Sequence, residues 1–195
     1  IQSIDLSIHG FCVLLLYVAC SGQLGETQPN WKSERQKMTI EYEFEHPVDK
    51  VFGLLTDKTF LAQRLEAVGE DPPTVKITRK GKGFDIQLER AARRDLPKVA
   101  ARLVGSLQKF NMKESWRPDG DGWSGSYLIK FEGVPGSVAA DFELYPTDGG
   151  CVYSIDHKPS VNVPVVGKTL EKILVSQVED GCDAEIDYLA EVLDS

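Results

Sequence analysis

Residues 163–193, VPVVGKTLEKILVSQVEDGCDAEIDYLAEVL, place Val166, Leu170, Ile173, Leu174, Val178, Cys182, Ile186, Leu189 and Val192/Leu193 at helical spacing. The apolar stripe keeps a 3.6-residue period for about eight turns, which predicts one long amphipathic helix. Pro164 has the fixed φ of a first helical position, so the helix is expected to start there or just after. At ~1.5 Å per residue it runs roughly 40 Å, enough to span a strongly curved sheet. A stripe this long has to be buried against something equally large, and the rest of the chain must supply it. Gly181 interrupts the pattern at a cost of about 1 kcal/mol relative to Ala. It reads first as a tolerated weak spot, and second as a bend or a close approach to a strand or ligand.

The partner surface is written upstream. Residues 39–45 alternate Ile40, Tyr42 and Phe44 with Glu41, Glu43 and Glu45, a half-buried strand with a solvated outer side. Pro47 then opens a short helix with Val48, Val51, Phe52 and Leu55 on its inner face. Thr56 or Asp57 caps a second helix carrying Phe60, Leu61, Leu65 and Val68, and Gly69 ends it. Pro72-Pro73 enforces extended backbone and a break before the next element.

From Thr74 the texture changes to strands and turns. Val75/Ile77, Phe84/Ile86/Leu88, Phe110/Met112/Trp116, Tyr127/Ile129/Phe131, Val138/Ala140/Phe142/Leu144 and Tyr153/Ile155 each alternate with polar residues. Turn chemistry separates them at residues 81–83, 118–122, 134–136 and 147–150. Residues 96–105, with Pro97, read as a loop running into a short strand. About six consecutive strands with short turns imply an antiparallel meander. The predicted class is therefore α+β: a strand, two short helices, a meander, and one long helix to cover its apolar face.

Residues 1–37 differ in character. The run FCVLLLYVAC, residues 11–20, is too short to span a bilayer as a helix. It has the length of a signal-peptide core, and Tyr17-Val18-Ala19-Cys20 loosely matches a lipoprotein box, but residues 1–10 hold no Lys or Arg. Residues 21–37 read as a polar linker. The division is therefore a leader and linker at 1–37, signal-like or non-native, and one folded domain at 38–195. The favoured expectation is a natural start at Met38 and a cytoplasmic protein. The alternative is export as a lipoprotein through Cys20, and membrane contact is expected only in that case.

Charge and cysteines narrow the function classes. A formal net charge of −8 over 195 residues argues against a dedicated nucleic-acid binder. Residues 79–113 nevertheless hold ten basic side chains against three acidic ones, and residues 171–194 hold eight acids against Lys172. Two solvated faces of opposite sign account for this before a basic rim for an anionic partner does. Cys12, Cys20, Cys151 and Cys182 show no CxxC and no metal-type clustering with the histidines, so no metal and no cofactor is expected.

The order of these elements, with these residues, resembles the START-like (SRPBCC) superfamily. Within it the chain is similar to a bacterial, chiefly actinobacterial, branch of unknown function. The resemblance is carried by Leu55-Thr56-Asp57 followed by Phe60 and Arg64, by Leu96-Pro97, and by Glu114-Ser115-Trp116. It continues through Val134-Pro135-Gly136, Leu144-Tyr145-Pro146 and Val163-Pro164-Val165-Val166-Gly167 to Leu170-Glu171. It covers residues 38–193 and implies the helix-grip fold, a curved antiparallel sheet gripping the C-terminal helix over an internal cavity. The fold hosts lipid carriers, hormone receptors and polyketide cyclases, so it implies little about function.

In such a fold the inward register lines the cavity. The apolar candidates for ligand contact are Phe44, Met112, Trp116 and Phe142 from the strands and Leu174 and Val178 from the helix. The same side chains serve equally as solid core. The polar exceptions on that register are Arg90, Glu114, Tyr127 and His157, each of which needs a partner because an unsatisfied buried polar group costs about 1–3 kcal/mol. Arg90 and Glu114 pairing with each other is the structural solution. The functional one has Arg90 or His157 hold a ligand carboxylate, with Tyr127 donating a hydrogen bond. The leading reading is a binding or transport protein for a hydrophobic small molecule such as a lipid, fatty acid or polyketide-like compound. A second is a cyclase- or hydrolase-like enzyme using Glu114 and His157 as acid and base. A third is an interaction module with no ligand. The chain shows no nucleophile elbow, P-loop or dinucleotide fingerprint, so the reading leans away from an enzyme.

Overall fold

Period-2 alternation requires a sheet with one buried face, and the computed structural model, which describes residues 38–93, 107–133, 136–161 and 167–195, shows where that face goes. Strand β1 (Met38–Phe44) leads into helices α1 (Val48–Leu55) and α2 (Lys58–Ala67). Six strands follow: β2 (Asp71–Lys80), β3 (Gly83–Arg93), β4 (Leu107–Asp119), β5 (Gly122–Phe131), β6 (Gly136–Thr147) and β7 (Gly150–Val161). Helix α3 (Gly167–Leu193) closes the chain. All strand pairs are antiparallel, in the order β1-β7-β6-β5-β4-β3-β2, so the first strand joins the far edge beside the last. This is the α+β helix-grip architecture, a curved sheet with α3 across its concave face.

The short helices form where their end signals stand. Pro47 occupies the N-cap of α1 in extended conformation, and Val48, Val51, Phe52 and Leu55 are its buried residues. The Asp57 carboxylate accepts the Phe60 N–H at 2.7 Å and so caps α2. Replacing it by alanine is expected to lower stability by about 1 kcal/mol in chemical denaturation, while Asp57→Ser costs a few tenths. Val68 lies just past the end of α2, and the fourth buried residue of that helix is Arg64, not an apolar one.

Hairpin turns fall where glycine tolerates a left-handed backbone: Gly81 (φ 61°) joins β2 to β3 and Gly120 (φ 55°) joins β4 to β5. One expectation changes. Pro72-Pro73 does not break the chain before the strand but lies inside β2, where the pairing with β3 shifts register between Asp71 and Thr74. The pair sits at that register shift on an edge strand, where residues without an N–H are tolerated. The start of the long helix at Pro164 and the loop reading of 96–105 fall outside the described residues, as does the leader at 1–37.

The core has two parts. Beneath α1, Phe52 stacks on Trp123 with ring centroids 3.7 Å apart and meets Trp116 edge-on at 5.4 Å. At the C-terminal end of α3, Ile186, Leu189 and Leu193 seal the helix onto the sheet and the short helices.

Candidate functional site

Between the sheet and α3 lies a cavity of about 200 Å³. Its floor consists of Phe110, Met112 and Glu114 from β4, Tyr127, Ile129 and Phe131 from β5, and Tyr153 and Ile155 from β7. These residues alternate along each strand, and the register sets Phe110 opposite Phe131, Met112 opposite Ile129, and Glu114 opposite Tyr127. Helix α3 closes the roof with Val178, Gly181, Cys182, Glu185 and Ile186. Gly181 is exposed at its rim, and a Cβ built there meets nothing within 4 Å.

One end of the cavity carries charge. Arg90 donates from Nε and Nη2 to the two oxygens of Glu70, at 2.9 and 2.7 Å, and from Nη2 to Glu185 Oε1 at 2.7 Å. Its guanidinium also lies 5.7 Å from the Phe110 ring centroid. Arg64 Nε reaches Glu185 Oε2 at 3.1 Å, close enough for an ion pair but without hydrogen-bond alignment, so this contact is Coulombic. Burial by itself lowers the Arg90 pKa, but Glu185 and Glu70 override it and raise it. Burial likewise raises the Glu185 pKa, and Arg90 and Arg64 more than offset that and hold it below the ordinary carboxylate range. Two guanidiniums thus stand against two carboxylates.

Glu114 is the fifth member, and it is held differently. It does not pair with Arg90, whose Nε and Nη2 donate to Glu70 and Glu185 instead. Instead, Trp116 Nε1 donates to Glu114 Oε1. Burial pushes its pKa up to about 7, against the lowering effect of the Trp116 hydrogen bond and of Arg64 and Arg90. Among the described residues no hydrogen bond engages its second oxygen.

The structure sorts the sequence candidates. Arg90, Met112, Glu114, Tyr127 and Val178 meet in the cavity wall. Trp116 and Phe142 lie in the packed core beneath it, with ring centroids 4.4 Å apart, and Phe44 is buried in the same core at the end of β1. His157 is behind the wall, not in it. It is 1% exposed, its Nε2 is 3.5 Å from Cys182 Sγ, and its ring meets Tyr127 edge-on. Burial lowers its pKa to about 4, against a raising contribution from Asp156. It therefore neither reaches a ligand carboxylate nor shares a space with Glu114. The side chain of Leu174 falls outside the described residues. Arg64, Glu70 and Glu185 were not candidates; Arg64 and Glu185 sit on the apolar faces of their helices, which is the signal that marks them.

The pKa values of Glu114 and His157 pull stability in opposite directions. Glu114, raised from 4.5 to about 7, stabilises the fold below pH 4.5, and that contribution is lost as pH rises to 7. His157, lowered from 6.5 to about 4, contributes fully above pH 6.5, and its contribution is lost as pH falls to 4. Glu114→Gln removes the first slope only. Its urea midpoint is expected to fall more steeply than that of wild type between pH 6.5 and 4.5; parallel profiles would contradict this assignment.

A larger but open concavity, about 580 Å³, lies at the β1–α1 corner and the β6–β7 turn. Its acidic side chains, Glu45, Asp49 and Asp121, are all exposed, and it contains no buried polar group to orient a ligand. Among the described residues no group of three or more His, Cys, Asp or Glu is placed to hold a metal ion. Nor is any described helix long and apolar enough to cross a membrane.

A family model matches residues 39–193, from β1 to the end of α3. The chain belongs to that family, DUF2505, described as protein of unknown function. No curated protein matches the sequence. Solved structures similar to this chain include TTHA0849 from Thermus thermophilus, at 13% identity and a TM-score of 0.55 over 80% of this chain and 96% of that one. Ms6760 from Mycobacterium smegmatis is 17% identical, with a TM-score of 0.56 over 86% of this chain and 97% of that one. Ara h 8.0201 is 13% identical, with a TM-score of 0.55 over 81% and 97%. Identities this low show a shared helix-grip fold and carry no statement about what the DUF2505 chain binds.

Proposed function

We propose that this protein binds a small hydrophobic molecule with one polar end in the cavity between the sheet and α3. The observation that carries the reading is the asymmetry of the cavity wall. Phe110, Ile129, Phe131, Ile155 and Val178 supply apolar surface, while Glu114 and the arginine–glutamate cluster supply a polar pole. Apolar walls give affinity and the pole gives orientation. A volume of about 200 Å³ lies below the ~300–1,000 Å³ of pockets for drug-sized ligands, which favours a single-ring or short-chain occupant over a long acyl chain. The enzyme reading finds less support, because His157 lies outside the space that Glu114 faces. The interaction-module reading needs a collapsed interior.

Native mass spectrometry of the protein purified from its own host tests the proposal. The expected result is a co-purifying small molecule that Phe131→Trp and Val178→Trp, which fill the hollow, each displace. A protein that carries nothing, and takes up no aromatic or short-chain probe at millimolar concentration, overturns it.

A further inference from the structure

The polar pole is unusual in how its charge is arranged. A cavity built to receive a carboxylate leaves a guanidinium free to fork onto it. Here both guanidiniums face carboxylates: Arg90 donates to both oxygens of Glu70 and to Glu185, and Arg64 Nε stands 3.1 Å from Glu185 as an ion pair without a hydrogen bond. The two pairs cancel, so the carboxyl of Glu114 sets the sign of the pole. It stands on the cavity floor, 8% exposed, with one oxygen accepting from Trp116 Nε1. Its other oxygen has no hydrogen-bond partner among the described residues. Tyr127 stands directly across the strand pair from it and Tyr153 lies in the same wall, with Phe110 and Phe131 further along β4 and β5.

A buried carboxyl with one open oxygen, in a wall that otherwise sets two carboxylates against two guanidiniums, suits a cation. An anion entering the same space meets a third carboxyl that the two guanidiniums do not balance. Resting on the cavity reading above, we infer that the occupant is a hydrophobic amine whose protonated nitrogen takes Glu114 as its counter-ion. On this basis fatty acids and other carboxylates are excluded from the pole.

The protonation state of the pole follows from its surroundings. Facing Glu114 are Arg64 from α2, Arg90 from β3, Tyr127 from β5, Tyr153 from β7, and Cys182 and Glu185 from α3. Burial raises both tyrosines further and pushes the Cys182 thiol up to about 12, so all three stay neutral between pH 5 and 8. Glu185 and Arg90 stay charged. Glu114, at about 7, is the wall group that titrates in this window. It is protonated in part when the cavity is empty and gives up its proton as an ammonium arrives.

The test uses three matched probes, 3-phenylpropylamine, 3-phenylpropanol and 3-phenylpropanoate, titrated calorimetrically into the full chain at pH 7.5. The amine is expected to bind at least about tenfold more tightly than the alcohol, and the acid more weakly than either. Amine affinity should fall as pH drops below about 7, approaching tenfold per unit, with proton release that scales with buffer ionisation enthalpy; alcohol affinity should stay flat. Glu114→Gln keeps an acceptor for Trp116 and should erase the amine preference, so that the amine binds no more tightly than the alcohol, and should remove the pH dependence of amine affinity. The wild-type pH series stands alone if that variant misfolds. Binding of alcohol or acid without an amine preference overturns the inference and leaves the cavity reading intact. Failure of all three probes to bind overturns both.

Discussion

Glu185→Ala is expected to lower the unfolding free energy by about 3–5 kcal/mol. Glu185 is the carboxylate shared by Arg64 and Arg90, and the three side chains are only 16%, 8% and 12% exposed. Without it, Arg90 keeps Glu70, but Arg64 is left buried with no carboxylate among the described ion pairs. A charge stranded in that environment costs far more than its pair contributes, because solvent cannot reach it. The double variant Arg64→Leu/Glu185→Leu removes both ions and is expected to recover most of the loss. Urea unfolding followed by circular dichroism reads both. A loss below about 1 kcal/mol for Glu185→Ala would mean that water screens the cluster like an exposed pair.

Trp116→Ala should cost a comparable ~3–5 kcal/mol, for a different reason. The indole is fully buried and touches Phe52, Phe142 and Tyr153, so truncation opens a cavity where the two halves of the core meet. Trp116→Phe separates packing from polarity. It keeps most of the volume but removes the N–H that Glu114 accepts, leaving a buried oxygen unsatisfied at about 1–3 kcal/mol. Because that hydrogen bond lowers the Glu114 pKa, losing it moves the pKa further above 7. The stabilisation that protonated Glu114 provides then persists to higher pH, so the pH dependence of the urea midpoint shifts upward relative to wild type. An unshifted profile would show that the indole does not act on the carboxyl.

The elements of this fold are legible one at a time because each is encoded by local spacing. Alternation at Ile40, Tyr42 and Phe44 needs only three consecutive pleats to declare a strand, and Asp57 needs only the N–H three residues on to declare a helix start. Pro72-Pro73 misled for the same reason. Its local preference for extended backbone is real, but whether that backbone joins a strand depends on β2 being at an edge. The candidate site divides in the same way. Met112, Glu114 and Tyr127 follow from inward register, whereas His157 shares that register and ends behind the wall, since Cys182 and Tyr127 pack over it.

Sequence periodicity alone determined that a meander of half-buried strands would be covered by one long helix, because a face of sustained apolar spacing has no stable alternative to burial. Which charges meet inside was decided only in three dimensions. Arg90 takes partners 20 and 95 residues away, and Arg64 meets a carboxylate from the C-terminal helix. An ion pair fixes distance in space and leaves separation along the chain free, so no local pattern records it. Once Glu70 and Glu185 claim the two guanidiniums, Glu114 is left to give the cavity its sign.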